Sequence, residues 1–150
     1  MLDVTDSEIS PDLVPELLVS DLAVSLGFWV EIVGFDISYD RPSEGFAYLV
    51  LGTAHVMLEQ AGVGRNWIAA PLDRPLGRGM NLQISVPSTE PLLDRLAAQR
   101  WPLFMPPEHK TYRAGATEID LTQFVVQDPD GYLLRFSSRR AATPSDSYVA

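Results

Sequence analysis

Two stretches of this chain run through the same succession of hydrophobic periods, and that repetition limits the fold more than any single motif. Residues 12–60 open with a strand-like segment, continue into a helical pattern reaching Val33, then alternate through three further strand-like segments ending at Gln60. Residues 79–138 open on Gly79-Met80-Asn81-Leu82-Gln83-Ile84-Ser85-Val86, pass a helical pattern near 89–100, and end in three more segments of strand character. Both halves read β-α-β-β-β, which predicts an α+β protein of two βαβββ modules. A loose arm at 1–11, a connector at 61–78 and a tail at 139–150 complete the chain.

In 12–20, Pro15, Leu17 and Val19 alternate with Val14, Glu16, Leu18 and Ser20, the two-residue period of a strand. Ser20 or Asp21 offers a side-chain acceptor to the free N–H groups of the helix that follows. Leu22, Leu26, Trp29, Val30 and Val33 return at three- and four-residue steps, predicting an amphipathic helix that Gly34 ends in a left-handed position. Strands are expected at 35–41, 46–51 and 55–60. Phe46, Tyr48 and Val50 share a face of one; His55, Met57 and Glu59 share a face of the next, opposite Val56 and Leu58.

The connector holds Gly62, Gly64, Pro71, Pro75 and Gly77, too many breakers for a regular element, together with Arg65, Trp67, Arg74 and Arg78. In the second module Asn81, Gln83 and Ser85 form a polar face against Leu82, Ile84 and Val86. Ser88 or Thr89 opens a helix striped by Leu92, Leu93, Leu96 and Ala97, with Pro91 confined to its first turn. A strand broken at Pro106-Pro107 occupies 103–119, with Tyr112 in a polar surround. The last two strands, near 122–127 and 132–138, are joined by Asp128-Pro129-Asp130-Gly131. There Pro129 presets φ at the first corner and Gly131 takes the positive φ. Phe28, Trp29 and Phe124 are assigned to helix–sheet packing, and Trp101 to packing after the second helix.

Composition removes several classes of function. With 46% hydrophobic residues in 150 the chain buries a core, and no apolar run approaches the roughly 18–20 residues that cross a bilayer. The acidic opening Met1-Leu2-Asp3-Val4-Thr5-Asp6 is unlike a secretory leader, so a cytoplasmic protein is expected. Lacking cysteine, it has no disulfide, thiolate nucleophile or Cys-ligated metal. The net charge of −9 is lopsided: residues 1–60 carry eleven acidic groups against Arg41 alone, and the rest carry nine against ten basic ones. Nucleic acid is not expected as a partner, since phosphate contacts need clustered Lys and Arg. An acidic surface favours the approach of a cationic small molecule, and it also serves solubility alone. No phosphate-binding glycine loop, nucleophile elbow or carboxylate pair is evident.

Val19-Ser20-Asp21-Leu22 before the first helix, Phe28-Trp29 within it, Gly34-Phe35 after it and Asp128-Pro129-Asp130-Gly131 near the end resemble one family. It is the glyoxalase/bleomycin-resistance/extradiol-dioxygenase superfamily (vicinal oxygen chelate fold), and the similarity covers roughly residues 12–138. Pro15-Glu16-Leu17, Gly45-Phe46-Ala47-Tyr48, Met57-Leu58-Glu59-Gln60, Arg65-Asn66-Trp67 and Pro75-Leu76-Gly77-Arg78-Gly79 are similar to its bleomycin-resistance branch in particular. The resemblance implies curled, half-open mixed sheets with helices outside. It also implies that two sheets, often from a homodimer whose modules can swap, enclose a ligand groove.

Enzymes of that superfamily hold a divalent metal with His, Gln or Glu at four inward strand positions, which here fall on Val14, Glu59, Asn81 and Arg135. Only Glu59 suits: valine has no donor, asparagine is a weak neutral ligand, and guanidinium is fixed as a cation. The resemblance so read implies no metal, no cofactor and no catalytic residue. It implies instead that Glu59 and Arg135 face one cavity from different modules, able to pair with each other or with ligand groups. Asn81 and Gln83 would supply amide donors and acceptors. Met57 and the aromatic Phe46, Tyr48, Trp67 and Tyr112 would supply walls, a stacked pair contributing about 0.5–1.5 kcal/mol. Structural roles stand beside these: Phe46 and Tyr48 as core, Trp67 as a loop anchor or dimer contact, Glu59–Arg135 as an ion pair.

The expected function is therefore non-catalytic binding of a small molecule, a cationic glycopeptide antibiotic of bleomycin type or a related metabolite, held in a groove of a homodimer. The alternative is an enzyme of glyoxalase or dioxygenase type with a displaced metal on Glu16, Glu59 or His55. A ligand sensor or partner-binding module would use the same surface.

Overall fold

A computed structural model describes residues 11–140, so the expected arm and tail fall almost wholly outside the described residues. The two repeats build two four-stranded mixed sheets. Glu16–Val19 (β1), Asp36–Arg41 (β2), Phe46–Leu51 (β3) and Ala54–Gln60 (β4) form the first, in the order β1-β4-β3-β2. Asn81–Ser85 (β5), Leu103–Ala114 (β6), Thr117–Gln127 (β7) and Leu133–Arg139 (β8) form the second, in the order β5-β8-β7-β6. In each, the module's first and last strands pair in parallel and the other neighbours are antiparallel. This is the α+β, two-module architecture that the repeated periods predict.

The first helix begins at Leu22–Leu26 (α1), where the Asp21 side chain accepts from Val24 N at 3.2 Å. It does not continue as a regular α-helix to Val33. Gly27–Val33 widens into π-helical turns, and both Gly34 N and Phe35 N bond to the Trp29 carbonyl at 3.1 and 2.9 Å. The wider turn brings Phe28, Trp29 and Val33, four and five residues apart, onto one buried face. Gly34 ends it at φ 100°, as expected. Glu90–Ala98 (α2) is the second helix; the Ser88 hydroxyl accepts from Glu90 N at 3.4 Å, and Pro91 stands in the first turn.

One core serves both modules. Leu17, Val19, Ala47, Leu49, Val56 and Leu58 from the first sheet meet Ile84, Phe124, Val126, Leu134 and Phe136 from the second around Phe28, Trp29, Leu92 and Leu96. Burying one side chain the size of Phe28 contributes roughly 1.5–3 kcal/mol, so these rings dominate the packing. Each sheet thus turns one face inward and leaves the other open.

The expected break at Pro106-Pro107 does not occur. Strand β6 runs through both prolines, because it is the edge strand, where a missing N–H removes no ladder bond, and register shifts between Leu103 and Glu108 absorb the misfit. Strand β7 accordingly starts at Thr117 rather than near 122, giving a long β6–β7 hairpin. Strand β1 is shorter than the expected 12–20. Among the described residues no helix is long and apolar enough to cross a membrane.

The Asp128-Pro129-Asp130-Gly131 turn joins the modules through its side chains. Asp128 accepts from the Trp29 indole N–H at 3.2 Å and from the backbone N–H of Asp130 and Tyr132 at 3.0 and 2.9 Å. Asp130 accepts from Ser20 N, the Ser20 hydroxyl and the Arg74 guanidinium at 3.1, 2.7 and 2.8 Å. The Tyr132 hydroxyl donates to the Leu18 carbonyl at 2.9 Å. Gly131, at φ 101°, passes so close to the connector that a Cβ there would lie 2.5 Å from Pro75 Cβ.

Candidate ligand-binding faces

On the first sheet the alternation of β3 and β4 sends Phe46, Tyr48, His55, Met57 and Glu59 to the open face. The antiparallel register adds Tyr39 from β2 opposite Tyr48, their rings stacked 5.0 Å apart at 17°. Phe46 lies 6.0 Å from Tyr39 and carries the Arg41 guanidinium 3.9 Å above its ring. The Tyr48 hydroxyl and His55 Nδ1 share a hydrogen bond of 2.7 Å. Phe46 and Tyr48 are only 4% and 8% exposed, so each ring is part wall and part core.

The parallel pairing of β1 with β4 sets Glu16 opposite Met57 and Leu18 opposite Glu59, which makes Glu16 and Glu59 diagonal neighbours. Their carboxyl groups meet, a pairing that sequence spacing did not disclose because the two lie on non-adjacent stretches of chain. Partial burial, a hydrogen bond with Glu59 and the Glu59 charge hold Glu16 above the ordinary carboxylate range, with Arg41 pulling the other way. Gly64 lets the connector pass against this pair: a Cβ there would lie 2.7 Å from Glu59 Oε1.

On the second sheet the open face carries Asn81, Gln83 and Ser85 from β5, Arg135 and Ser137 from β8, and Gln123 from β7. Gln83 Nε2 approaches the Ser137 hydroxyl at 3.4 Å. Gln123, 2% exposed, donates to Glu108 at 2.9 Å and to the Tyr112 hydroxyl at 2.7 Å. Its Oε1 and Arg135 Nε are buried without a hydrogen-bond partner.

The expected residues thus fall into two sets. Phe46, Tyr48, Met57 and Glu59 gather on one sheet, and Asn81, Gln83, Tyr112 and Arg135 on the other. The expected pairing of Glu59 with Arg135 does not form within the chain: among the described residues the ion pairs are Arg41–Glu44 and Arg74–Asp130. The sheets join through their helices and the 128–131 turn, which keeps the open faces of one chain apart. Trp67 is no loop anchor, being 71% exposed with Arg65 4.8 Å from its ring. The connector is held instead by Asn66, which accepts from Gly62 N at 2.7 Å, by Arg74 and by buried Leu76. Tyr39 on the open face of the first sheet, and Gln123 and Ser137 on that of the second, are members that sequence spacing did not single out. Alternation put Glu16 on the same face as Val14 and made it an alternative metal ligand, but only the strand order could put it beside Glu59.

A divalent metal does not fit the four positions where the fold family carries its ligands. Val14 offers no donor, Arg135 brings a fixed cation and Asn81 only a weak neutral amide oxygen, which leaves Glu59 alone as a suitable ligand. Nor do Glu16, Glu59 and His55 converge: among the described residues no three His, Asp or Glu side chains come together as a metal cluster.

Known proteins share this architecture. The chain matches the family described as "Glyoxalase/Bleomycin resistance protein/Dioxygenase superfamily" over residues 13–136. Comparison with curated proteins gives no match. Among solved structures, TioX from Micromonospora sp. ML1 is 21% identical with a TM-score of 0.66, covering 85% of this chain and 98% of that one. Lactoylglutathione lyase from Agrobacterium tumefaciens is 16% identical with a TM-score of 0.58, covering 86% and 93%. A superfamily member from Vibrio splendidus 12B01 is 38% identical over 83% and 95%, with a TM-score of 0.38. With the matched family spanning both βαβββ modules, the chain belongs to the Glyoxalase/Bleomycin resistance protein/Dioxygenase superfamily.

Proposed function

We propose that this protein is a cytoplasmic, non-catalytic binding protein of the bleomycin-resistance branch, which sequesters a cationic, planar-ringed small molecule such as a glycopeptide antibiotic. The observation that carries this reading is the Glu16–Glu59 carboxyl pair set beside the Tyr39–Tyr48 stack and Phe46. Two carboxyl groups in contact repel when both are ionised, and an organic cation relieves that repulsion. The flat rings beside them stack on a heteroaromatic group, and Phe46 already holds a guanidinium over its face.

A homodimer completes the groove. One chain presents the acidic aromatic face of its first sheet to the Asn81, Gln83 and Arg135 face of its partner's second sheet. Opposite charge on the two faces supports this arrangement, as does the lack of any hydrogen bond or ion pair between them within the chain among the described residues. The fold alone does not choose between binder and enzyme, since the superfamily hosts both.

Equilibrium dialysis of the protein against metal-free bleomycin, with mass analysis of the recovered drug and sedimentation analysis of the protein, tests this reading. Saturable retention of unmodified drug by a dimer at about one molecule per chain is expected. Failure to retain the drug overturns the ligand class. Recovery of altered drug overturns the non-catalytic reading in favour of an enzyme.

A further inference from the structure

A cleft of about 370 Å³ lies on the helix side of the molecule, where the π-helical turns of the first module meet α2 of the second. Gly27, Glu31 and Ile32 line one wall and Arg95, Ala98 and Gln99 the other, so it shares no residue with either open sheet face. Arg95 ties the walls together: its Nε donates to the Ile32 carbonyl at 2.7 Å and its Nη2 to the Val33 carbonyl at 3.1 Å. Neither bond uses Nη1, and Arg95 has no carboxylate partner among the described residues. Glu31 is likewise without a cationic partner among the described residues. Opposite charges thus line one cleft from two helices without closing on each other. The Gln99 amide adds a donor and an acceptor, and Ile32 and Ala98 add apolar surface.

Gly27 points to an occupant. Its φ of −57° and ψ of −39° are ordinary helical angles, and a Cβ built there meets no atom within 4 Å. Glycine is a poorer helix residue than alanine, because it loses more backbone freedom on folding. Neither backbone geometry nor packing requires it here, whereas close approach of a ligand to the backbone would.

We propose that this cleft binds a free amino acid with an apolar side chain, its ammonium on Glu31, its carboxylate on Arg95 Nη1 and its side chain over Gly27, Ile32 and Ala98. The volume is within the range of small-ligand sites, about 300–1,000 Å³. An amine or an acid alone leaves one of the two charges unanswered. The site stands on the junction of the modules and holds whether or not the open faces bind a drug.

Amide-detected NMR titration of the full chain with leucine, isoamylamine and isocaproate tests it. Leucine is expected to shift the amides of Gly27, Ile32 and Gln99 saturably. Isoamylamine and isocaproate each lack one charge and are expected to bind about threefold or more weakly, as is leucine to Glu31→Gln protein, the size that solvent-facing ion pairs give. Gly27→Ala is expected to keep or slightly raise Tm while weakening leucine about tenfold or more, since the methyl group occupies the cleft. Isoamylamine or isocaproate binding as tightly as leucine overturns the amino-acid assignment. An unchanged leucine titration in Gly27→Ala or Glu31→Gln, or no saturable shift at these amides, overturns the site. A lower Tm in Gly27→Ala overturns the reading of Gly27 as a residue kept for a ligand.

Discussion

Replacing Asp130 by alanine should unfasten the modules from one another. The carboxylate is 1% exposed and accepts two bonds from Ser20 and one from Arg74. Arg74 is 63% exposed at its side chain, so its ion pair is solvent-screened and contributes less than about 1 kcal/mol. The two Ser20 bonds join a buried charge to a backbone N–H and a hydroxyl, and bonds of that kind contribute about 1.5–3 kcal/mol each without adding fully. Asp130→Ala is therefore expected to destabilise by about 3 kcal/mol, and Arg74→Ala by about 0.5–1 kcal/mol. In a chain of this length that corresponds to a fall in Tm of about 6–12 °C against about 1–4 °C. Scanning calorimetry of the two variants and the wild type measures both. An Asp130→Ala Tm within about 2 °C of wild type, or a larger fall in Arg74→Ala, would refute the claim that the buried carboxylate clamps the modules.

Gly131→Ala drives a Cβ to 2.5 Å from Pro75 Cβ at a φ of 101°, and a loss of about 3 kcal/mol is expected in urea unfolding; a loss under about 0.5 kcal/mol contradicts the close approach. Trp67→Ala removes a side chain that is 71% exposed, so Tm should move by less than about 2 °C. A large fall would restore the anchor role. Glu16 should titrate above the ordinary glutamate range in carbon-detected NMR and move down in Glu59→Gln, since Glu59 supplies both a hydrogen bond and a repelling charge. The raised value means that the folded state binds this proton more tightly than the unfolded state. The stability so contributed is present below the unfolded pKa and is lost as pH rises through the folded one. An unmoved Glu16 titration in Glu59→Gln contradicts the pairing.

Periodicity disclosed what is local. The strands of both modules, the Asp21 cap and the positive φ of Gly34 and Gly131 follow from residue spacing and backbone sterics, which act over a few residues. The π-helical widening at Gly27–Val33 was hidden, because it comes from burying Phe28 and Trp29 together, a demand of the shared core. Pro106-Pro107 read as a break because nothing local says that β6 lies at a sheet edge. Asp128 and Asp130 read as turn residues, yet their side chains reach partners about a hundred positions away. Which open faces meet is a matter of how sheets are joined, and for that reason Glu16 and Glu59 could be named from the sequence as candidate ligands but not as neighbours, which only the β1–β4 pairing makes them.

The most direct test of the acidic aromatic face is a calorimetric titration of metal-free bleomycin into the wild-type chain and the Glu16→Gln/Glu59→Gln chain, side by side. Saturable binding by the wild type that weakens about tenfold or more in the double variant is predicted, as removal of the carboxyl pair requires. Equal affinity of the two chains, or no heat from either, would contradict it.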